Sequence, residues 1–387
     1  MKKIMICGVP NSNNLGDRVI IESMNYIYEQ YLNKYEIVNF DIVSGKIYNG
    51  NLDVKIKLNS NGFRKKMIPN ILRRMKVYSN YKKNEKLNLE LENIISKQDC
   101  VVIGGGHLLI DNYLHFPLAI NQIVQLAKEY QIPVIIAFVG AKGKWSQRAK
   151  KLLVDSLDYA KCISVRDSAS KDFLVSINSK YKEKTQVISD PALFVKDFVG
   201  ISDKNKMNIG IGIMDPNEIA RHAKIKWSRD EAAGWWKKII TDLEKKDLRV
   251  NIFTNGAPTD NAFVEYYIKP HFEKNNNVKI MEYPKNYKEL IQNIERQDAV
   301  IAQRLHACLP SISFENKTFG VIWDEKVEGV FNELGMSEYL IDFRIAPNSL
   351  IKKIESSLAN GTRLEKEIIN KINLKKVEMK EYLYNYT

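Results

Sequence analysis

Arg304 and His306, two ionisable side chains two residues apart at the end of an apolar run, are the residues here best suited to chemistry. Ala299-Val300-Ile301-Ala302 reads as a buried parallel strand, and open α/β sheets carry their reactive groups where such strands end. An arginine there can fork onto a phosphate or carboxylate. A histidine, with an ordinary pKa of about 6.5, can move protons near neutrality. In extended chain the two point to one face, and Leu305 between them turns the other way, into the protein. A surface arginine beside a capping or core histidine would read the same in isolation.

Other stretches supply further candidates. Lys3 to Val9 reads as a strand, Pro10 to Asp17 as a polar loop and Val19 to Tyr31 as a helix. Asn14, Gly16 and Asp17 therefore sit where a helix N-terminus attracts anions, although an ordinary turn with Asp17 as N-cap has the same composition. Asp99 to Gly106 reads as a central strand that breaks into Gly104, Gly105 and Gly106 before His107, leaving room for a ligand against the backbone. Ser164-Val165-Arg166-Asp167 closes another strand with a second arginine, whose alternative use is an ion pair with a neighbouring carboxylate. His107 with Asp111 is the nearest approach to a metal pair; a turn histidine is the favoured reading, and no metal is expected.

The elements that must position these residues alternate. Helices around 118–130 and 147–159 follow strands, with further strands at 133–139 and 162–165, and Ser189 to Phe194 closes a first α/β unit. After a polar linker at 197–206, strand candidates recur at 207–213, 250–254, 278–283, 299–302 and 318–323. The expected division is a Rossmann-like domain over 1–200, a second over 201–350, and a C-terminal extension of exposed helices over 351–387.

Composition narrows the class. With 387 residues and 44% apolar side chains, the chain has core material for two domains. Lys and Arg total 59 against 46 Asp and Glu, a net charge of +13 that favours an anionic partner. Cys7, Cys100, Cys162 and Cys308 are far apart and read as buried free thiols. No stretch has membrane-spanning length and no signal-peptide pattern is complete, so a cytoplasmic protein is expected. Phe63 to Lys86 holds nine basic residues against one acid, with Met67, Ile68, Ile71, Leu72 and Met75 at helical spacing. A core-facing helix is the favoured reading, and a helix lying on an anionic membrane is the alternative. Without interleaved aromatics or a known module, nucleic acid is not expected as a partner.

Taken in order, Asn13-Asn14-Leu15-Gly16-Asp17, Val101 to Gly106, Ser164 to Asp167 with Ser189-Asp190-Pro191, Arg304-Leu305-His306-Ala307 and Trp323-Asp324-Glu325-Lys326 resemble the polysaccharide pyruvyl transferase family. The opening loop departs from the family pattern, with Asn13 in place of a glycine and Arg18 in place of a glutamate. The resemblance implies an α/β fold similar to the GT-B glycosyltransferases, two Rossmann-like domains facing a cleft. It implies transfer of the enolpyruvyl unit of phosphoenolpyruvate to a sugar of a cell-surface polysaccharide precursor, forming a pyruvate ketal and releasing phosphate. No cofactor is expected beyond that donor. The implied partners are phosphoenolpyruvate and a sugar acceptor on a lipid-linked glycan; the basic Phe63 to Lys86 segment, for its part, raises an expectation of peripheral association at the inner membrane face. Arg304, Leu305 and His306 match the family's functional positions, and Arg166 is the expected partner from the other domain. Asn14, Gly16, Asp17, Gly104, Gly105, Gly106 and His107 are expected to line the substrates. A GT-B glycosyltransferase using a nucleotide sugar, and a non-catalytic ligand-binding or scaffold protein, are the competing readings.

Overall fold

The computed structural model describes residues 2–32, 35–50, 70–82, 85–200, 207–222, 227–246 and 248–387. Two sheets organise it. The first contains β1 (Lys2–Gly8), β2 (Tyr35–Asp41), β3 (Lys46–Tyr48), β4 (Cys100–Leu109), β5 (Val134–Ala141), β6 (Cys162–Val165) and β7 (Thr185–Val187), in the order 3-2-1-4-5-6-7. The second contains β8 (Asn208–Gly212), β9 (Arg249–Phe253), β10 (Val278–Ile280), β11 (Ala299–Ala302), β12 (Lys317–Ile322) and β13 (Leu340–Asp342), in the order 10-9-8-11-12-13. All pairings are parallel except the β2–β3 hairpin. Strands such as β5, β6 and β11 are buried at every position, as a parallel sheet covered on both faces requires. Strand order reverses at β1/β4 and at β8/β11, and each reversal opens a crevice at the carboxyl ends of the strands.

Several local expectations change. The first helix, α1 (Leu15–Ile27), starts four residues before the expected Val19, because Asn14 rather than Asp17 stands at its N-cap; Asp17 lies in its first turn. β4 does not break at its glycines but runs on to Leu109, with Gly105 and Gly106 at φ 71° and 83°. A Cβ on Gly104 would lie 2.9 Å from Met24, and one on Gly105 would collide with Ile20. Gly104 and Gly105 thus allow the close packing of α1 on the sheet.

The C-terminal extension is not the exposed addition expected from its charges. Helix Lys366–Tyr386 buries Ile368, Ile372, Met379, Tyr382 and Leu383 along one stripe and crosses back to the first sheet, where the Tyr382 hydroxyl donates to the Ile136 carbonyl at 3.2 Å. Lys375 and Lys376 fall within the stripe, with side chains 17% and 12% exposed, and these charges among the apolar positions concealed it.

Of the basic segment 63–86, residues 63–69 and 83–84 lie outside the described residues. The helix α2 (Asn70–Lys82) does not turn Leu72 and Met75 toward the core: they are 55% and 62% exposed. Its inward contacts are made by Arg74, which pairs with Asp111 at 2.8 Å, by Arg73 over the Tyr113 ring, and by Val77, Tyr78 and Tyr81. The buried Asp111 and the Tyr113 ring offer arginine the partners that drew the helix round this way.

All four cysteines are buried and free, as expected. Among the described residues, no helix is long and apolar enough to cross a membrane.

Candidate active site

Arg304 follows β11 as the N-cap of helix Leu305–Ser313, with φ −84° and ψ 127°. His306 lies inside the first turn of that helix at φ −84° and ψ 18°. The pair is therefore placed by a strand-to-helix corner and not by strand alternation. Leu305 is buried in the core, as its position between them suggested.

The Arg304 guanidinium is held in a two-point grip, donating from Nε to Asp260 Oδ2 at 2.6 Å and from Nη2 to Oδ1 at 3.0 Å. Asp260 is fully buried and also accepts the Asp215 N–H at 3.0 Å, while Asp215 is gripped in turn by Arg229. Burial opposes the charge on Arg304, but Asp260, Glu218 and Asp17 outweigh it and raise its pKa. Asp17 of α1 thus belongs to the surroundings of Arg304.

His306 is 8% exposed, and its Nε2 lies 3.3 Å from Asp190 Oδ2. The same oxygen receives Arg166 Nη1 at 3.2 Å, and Asp190 Oδ1 accepts the Ala192 N–H. Burial alone would raise the Asp190 carboxyl, but His306 and Arg166 bring it below its ordinary value. Both readings of Arg166 thus meet in one place: it is ion-paired and it stands beside the histidine. On its other side, a Cβ on Gly140 would lie 3.2 Å from Arg166 Nη2 and 3.1 Å from the His107 ring, so His107 shares this pocket wall. Gly16 completes the seam, since a Cβ there would collide with His306.

A further cation joins them. Lys326, in the first turn of helix Glu325–Glu333, sits 4.3 Å over the Trp323 ring. Burial pushes its pKa down to about 7; Asp324 resists this, while Arg166, Arg304 and Lys142 add to it. Lys142, at the end of the first sheet, pairs with Asp324 across the seam. Like Arg304, Lys326 stands just beyond a strand end, so the rule that singled out one could have found the other. Asp260 and Lys142 gave no such signal.

The expected residues therefore divide. Arg166, Arg304, His306 and His107 meet with Lys326 around one crevice between the sheets, and the Asn14 to Asp17 turn joins them through Gly16 and Asp17. Gly104, Gly105 and Leu305 are packing residues, while Gly106 is buried without a close neighbour at its Cβ position.

Two parallel sheets facing each other across their strand ends define the GT-B type of fold, and solved structures agree. A UDP-GlcNAc 2-epimerase from Methanocaldococcus jannaschii superposes with a TM-score of 0.60 at 12% identity, covering 100% of both chains. A UDP-forming alpha,alpha-trehalose-phosphate synthase from Burkholderia vietnamiensis superposes at 0.55 and 9% identity, covering 99% of this chain and 96% of that one. At such identities the likeness is one of fold. No curated protein matches the sequence. The family model of the polysaccharide pyruvyl transferases matches residues 14–325, and the chain belongs to that family, making it a transferase enzyme.

Proposed function

We propose that this enzyme transfers the enolpyruvyl unit of phosphoenolpyruvate to two hydroxyls of a sugar in a cell-surface polysaccharide precursor, leaving a pyruvate ketal. The observation that carries the reading is the convergence of Arg166, Arg304 and Lys326 beside His306. Phosphoenolpyruvate holds a phosphate and a carboxylate within a few bonds, and needs more than one cation to grip both. Arg304, preset by Asp260, takes one anionic end; Lys326 and Arg166 take the other and hold the phosphate as it leaves.

The bond changes balance with His306 as the proton carrier. Protonation of the methylene carbon C3 makes C2 oxocarbenium-like, and a sugar oxygen bonds to C2 as its proton passes to His306. The C2–O bond to phosphate then breaks, and the second sugar oxygen bonds to C2 as its proton leaves. Of the two hydroxyl protons, one is balanced by the C3 methyl group and one leaves on hydrogen phosphate. Asp190, against Nε2, orients the imidazole.

Incubation with phosphoenolpyruvate and a panel of hexosides should release phosphate and add a pyruvyl mass. An unchanged rate in His306→Ala would remove the role given to that residue. Phosphate-independent turnover of a nucleotide sugar would favour a glycosyltransferase instead.

The exposed Leu72 and Met75 on the basic helix α2 support peripheral binding to an anionic lipid surface, where a lipid-linked acceptor is presented. Co-sedimentation should be stronger with anionic than with neutral vesicles and fall in Leu72→Ser/Met75→Ser; equal binding to both lipids argues against it.

A further inference from the structure

Two amide side chains at the seam between the sheets carry polar atoms that the described residues leave unanswered. Asn14 stands at the N-cap of α1, where its side chain would ordinarily accept a free helix N–H, yet it makes no such bond. The Asp17 N–H goes instead to the Asn14 backbone carbonyl at 3.1 Å, and Asn14 Oδ1 is buried without a partner. Across the seam, Asn255 follows β9, is 2% exposed, and has its Nδ2 buried without a partner. The two residues are tied together by their backbones, since the Leu15 N–H donates to the Asn255 carbonyl at 3.0 Å. Gly256, at φ 84°, lets Leu15 in: a Cβ there would lie 2.9 Å from Leu15 Cδ1.

A buried polar atom without a partner forfeits its hydration for nothing, so two at one seam point to a ligand. One is an acceptor and the other a donor. A hydroxyl answers both, giving its proton to Asn14 Oδ1 and accepting from Asn255 Nδ2. A phosphate or carboxylate could answer only Asn255. It would also meet Asp17, half-buried in the first turn of α1 and close enough to Arg304 to raise that guanidinium's pKa. The crevice is thus divided by charge. Arg166, Arg304 and Lys326 make the cationic, anion-binding side, the Asn14 and Asn255 amides make the uncharged side, and His306 packs on Gly16 at the boundary.

We propose that Asn14 and Asn255 form a hydroxyl-binding subsite that takes the neutral sugar acceptor and presents it to His306. The choice of a sugar rests on the pyruvyl-transfer reading; the demand for a neutral hydroxyl does not.

Saturation-transfer NMR with methyl glycosides of glucose, galactose, mannose, N-acetylglucosamine and N-acetylmannosamine tests this without turnover. The wild-type protein should bind at least one, and Asn255→Ala and Asn14→Ala should each weaken that binding about tenfold, the loss of one hydrogen bond. Neither amide atom has a partner to lose, so melting temperatures, and the shift produced by phosphoenolpyruvate, should stay at wild-type values. If Asn255→Ala does not fold, Asn255→Asp keeps the shape, removes the donor and should lose the glycoside equally. Unchanged affinity in the variants, or no glycoside bound by the wild type, overturns the subsite. Glycoside binding that depends on both amides, without phosphate release from phosphoenolpyruvate, would sink the transferase reading and leave the subsite standing.

Discussion

His306 Nε2 lies 3.3 Å from Asp190 Oδ2, a carboxylate that belongs to the other half of the molecule and is shared with Arg166. A single buried oxygen thus joins a histidine of one half to a cation of the other. In the proposed reaction, catalysis and the contact between the two halves would depend on the same residue.

Asp190→Asn should expose that dependence. Removing the charge leaves Arg166 and His306 facing a neutral amide, so phosphate release from phosphoenolpyruvate should fall by roughly 100-fold. Breaking a buried pair should also cost about 3–5 kcal/mol of stability at neutral pH. Because the folded Asp190 pKa is depressed, its contribution is present above the ordinary carboxylate value of 3.8 and is lost as pH falls through the folded value. Melting curves of wild type and Asp190→Asn should therefore differ at pH 7 and converge well below pH 4; a constant difference would contradict the ion pair.

Lys326 should report the donor by taking up a proton. With its pKa pushed down to about 7, it is mostly neutral at pH 8, and an anion bound beside it favours the charged form. Calorimetry in two buffers of different ionisation enthalpy should show uptake of up to about one proton per phosphoenolpyruvate at pH 8. Lys326→Met should abolish the uptake and weaken donor binding. For stability the sign is reversed: the unfolded lysine binds its proton more tightly, so Lys326 penalises the empty fold below about pH 7, and that penalty fades as pH rises toward the ordinary value of 10.5.

Asp260→Asn should loosen Arg304 without touching substrate. The two-point grip at 2.6 and 3.0 Å sets the direction of the guanidinium, so its loss should raise KM for phosphoenolpyruvate about tenfold and change kcat less. Equal falls in kcat and kcat/KM would assign Asp260 a part in the transition state instead.

Glycine substitutions should separate the site from its support. Gly16→Ala drives a Cβ into His306 and should lower turnover by about 100-fold through misplacement of the imidazole. Gly105→Ala meets Ile20 at a positive φ and should cost about 1–3 kcal/mol of stability, with KM for phosphoenolpyruvate retained in the folded fraction. Paired melting and kinetic measurements distinguish the two outcomes.

Much of the fold was legible locally. Apolar runs such as Val134 to Val139 and Ala299 to Ala302 announced parallel strands, whereas the glycines of β4 lie inside a strand and not at the break they suggested. Errors came where two patterns overlapped. The lysines of helix Lys366–Tyr386 hid a buried stripe, and the apolar residues of α2 suggested a core face that aromatic and acidic neighbours gave to Arg73 and Arg74 instead.

By itself the sequence determined which residues stand at strand ends: Arg166, Arg304, His306 and, by the same rule, Lys326. Only the tertiary structure decided their company. Asp190 and His306 are 116 residues apart, and Asp260 lies 44 residues from Arg304. Helical and strand periodicity reflect the burial of neighbours along the chain, whereas an ion pair depends on which strand ends the crossovers bring face to face. That is why Arg304 could be recognised as a cation at a crevice, while the carboxylate that aims it, and the one that turns His306, appeared only once the two sheets had closed on each other.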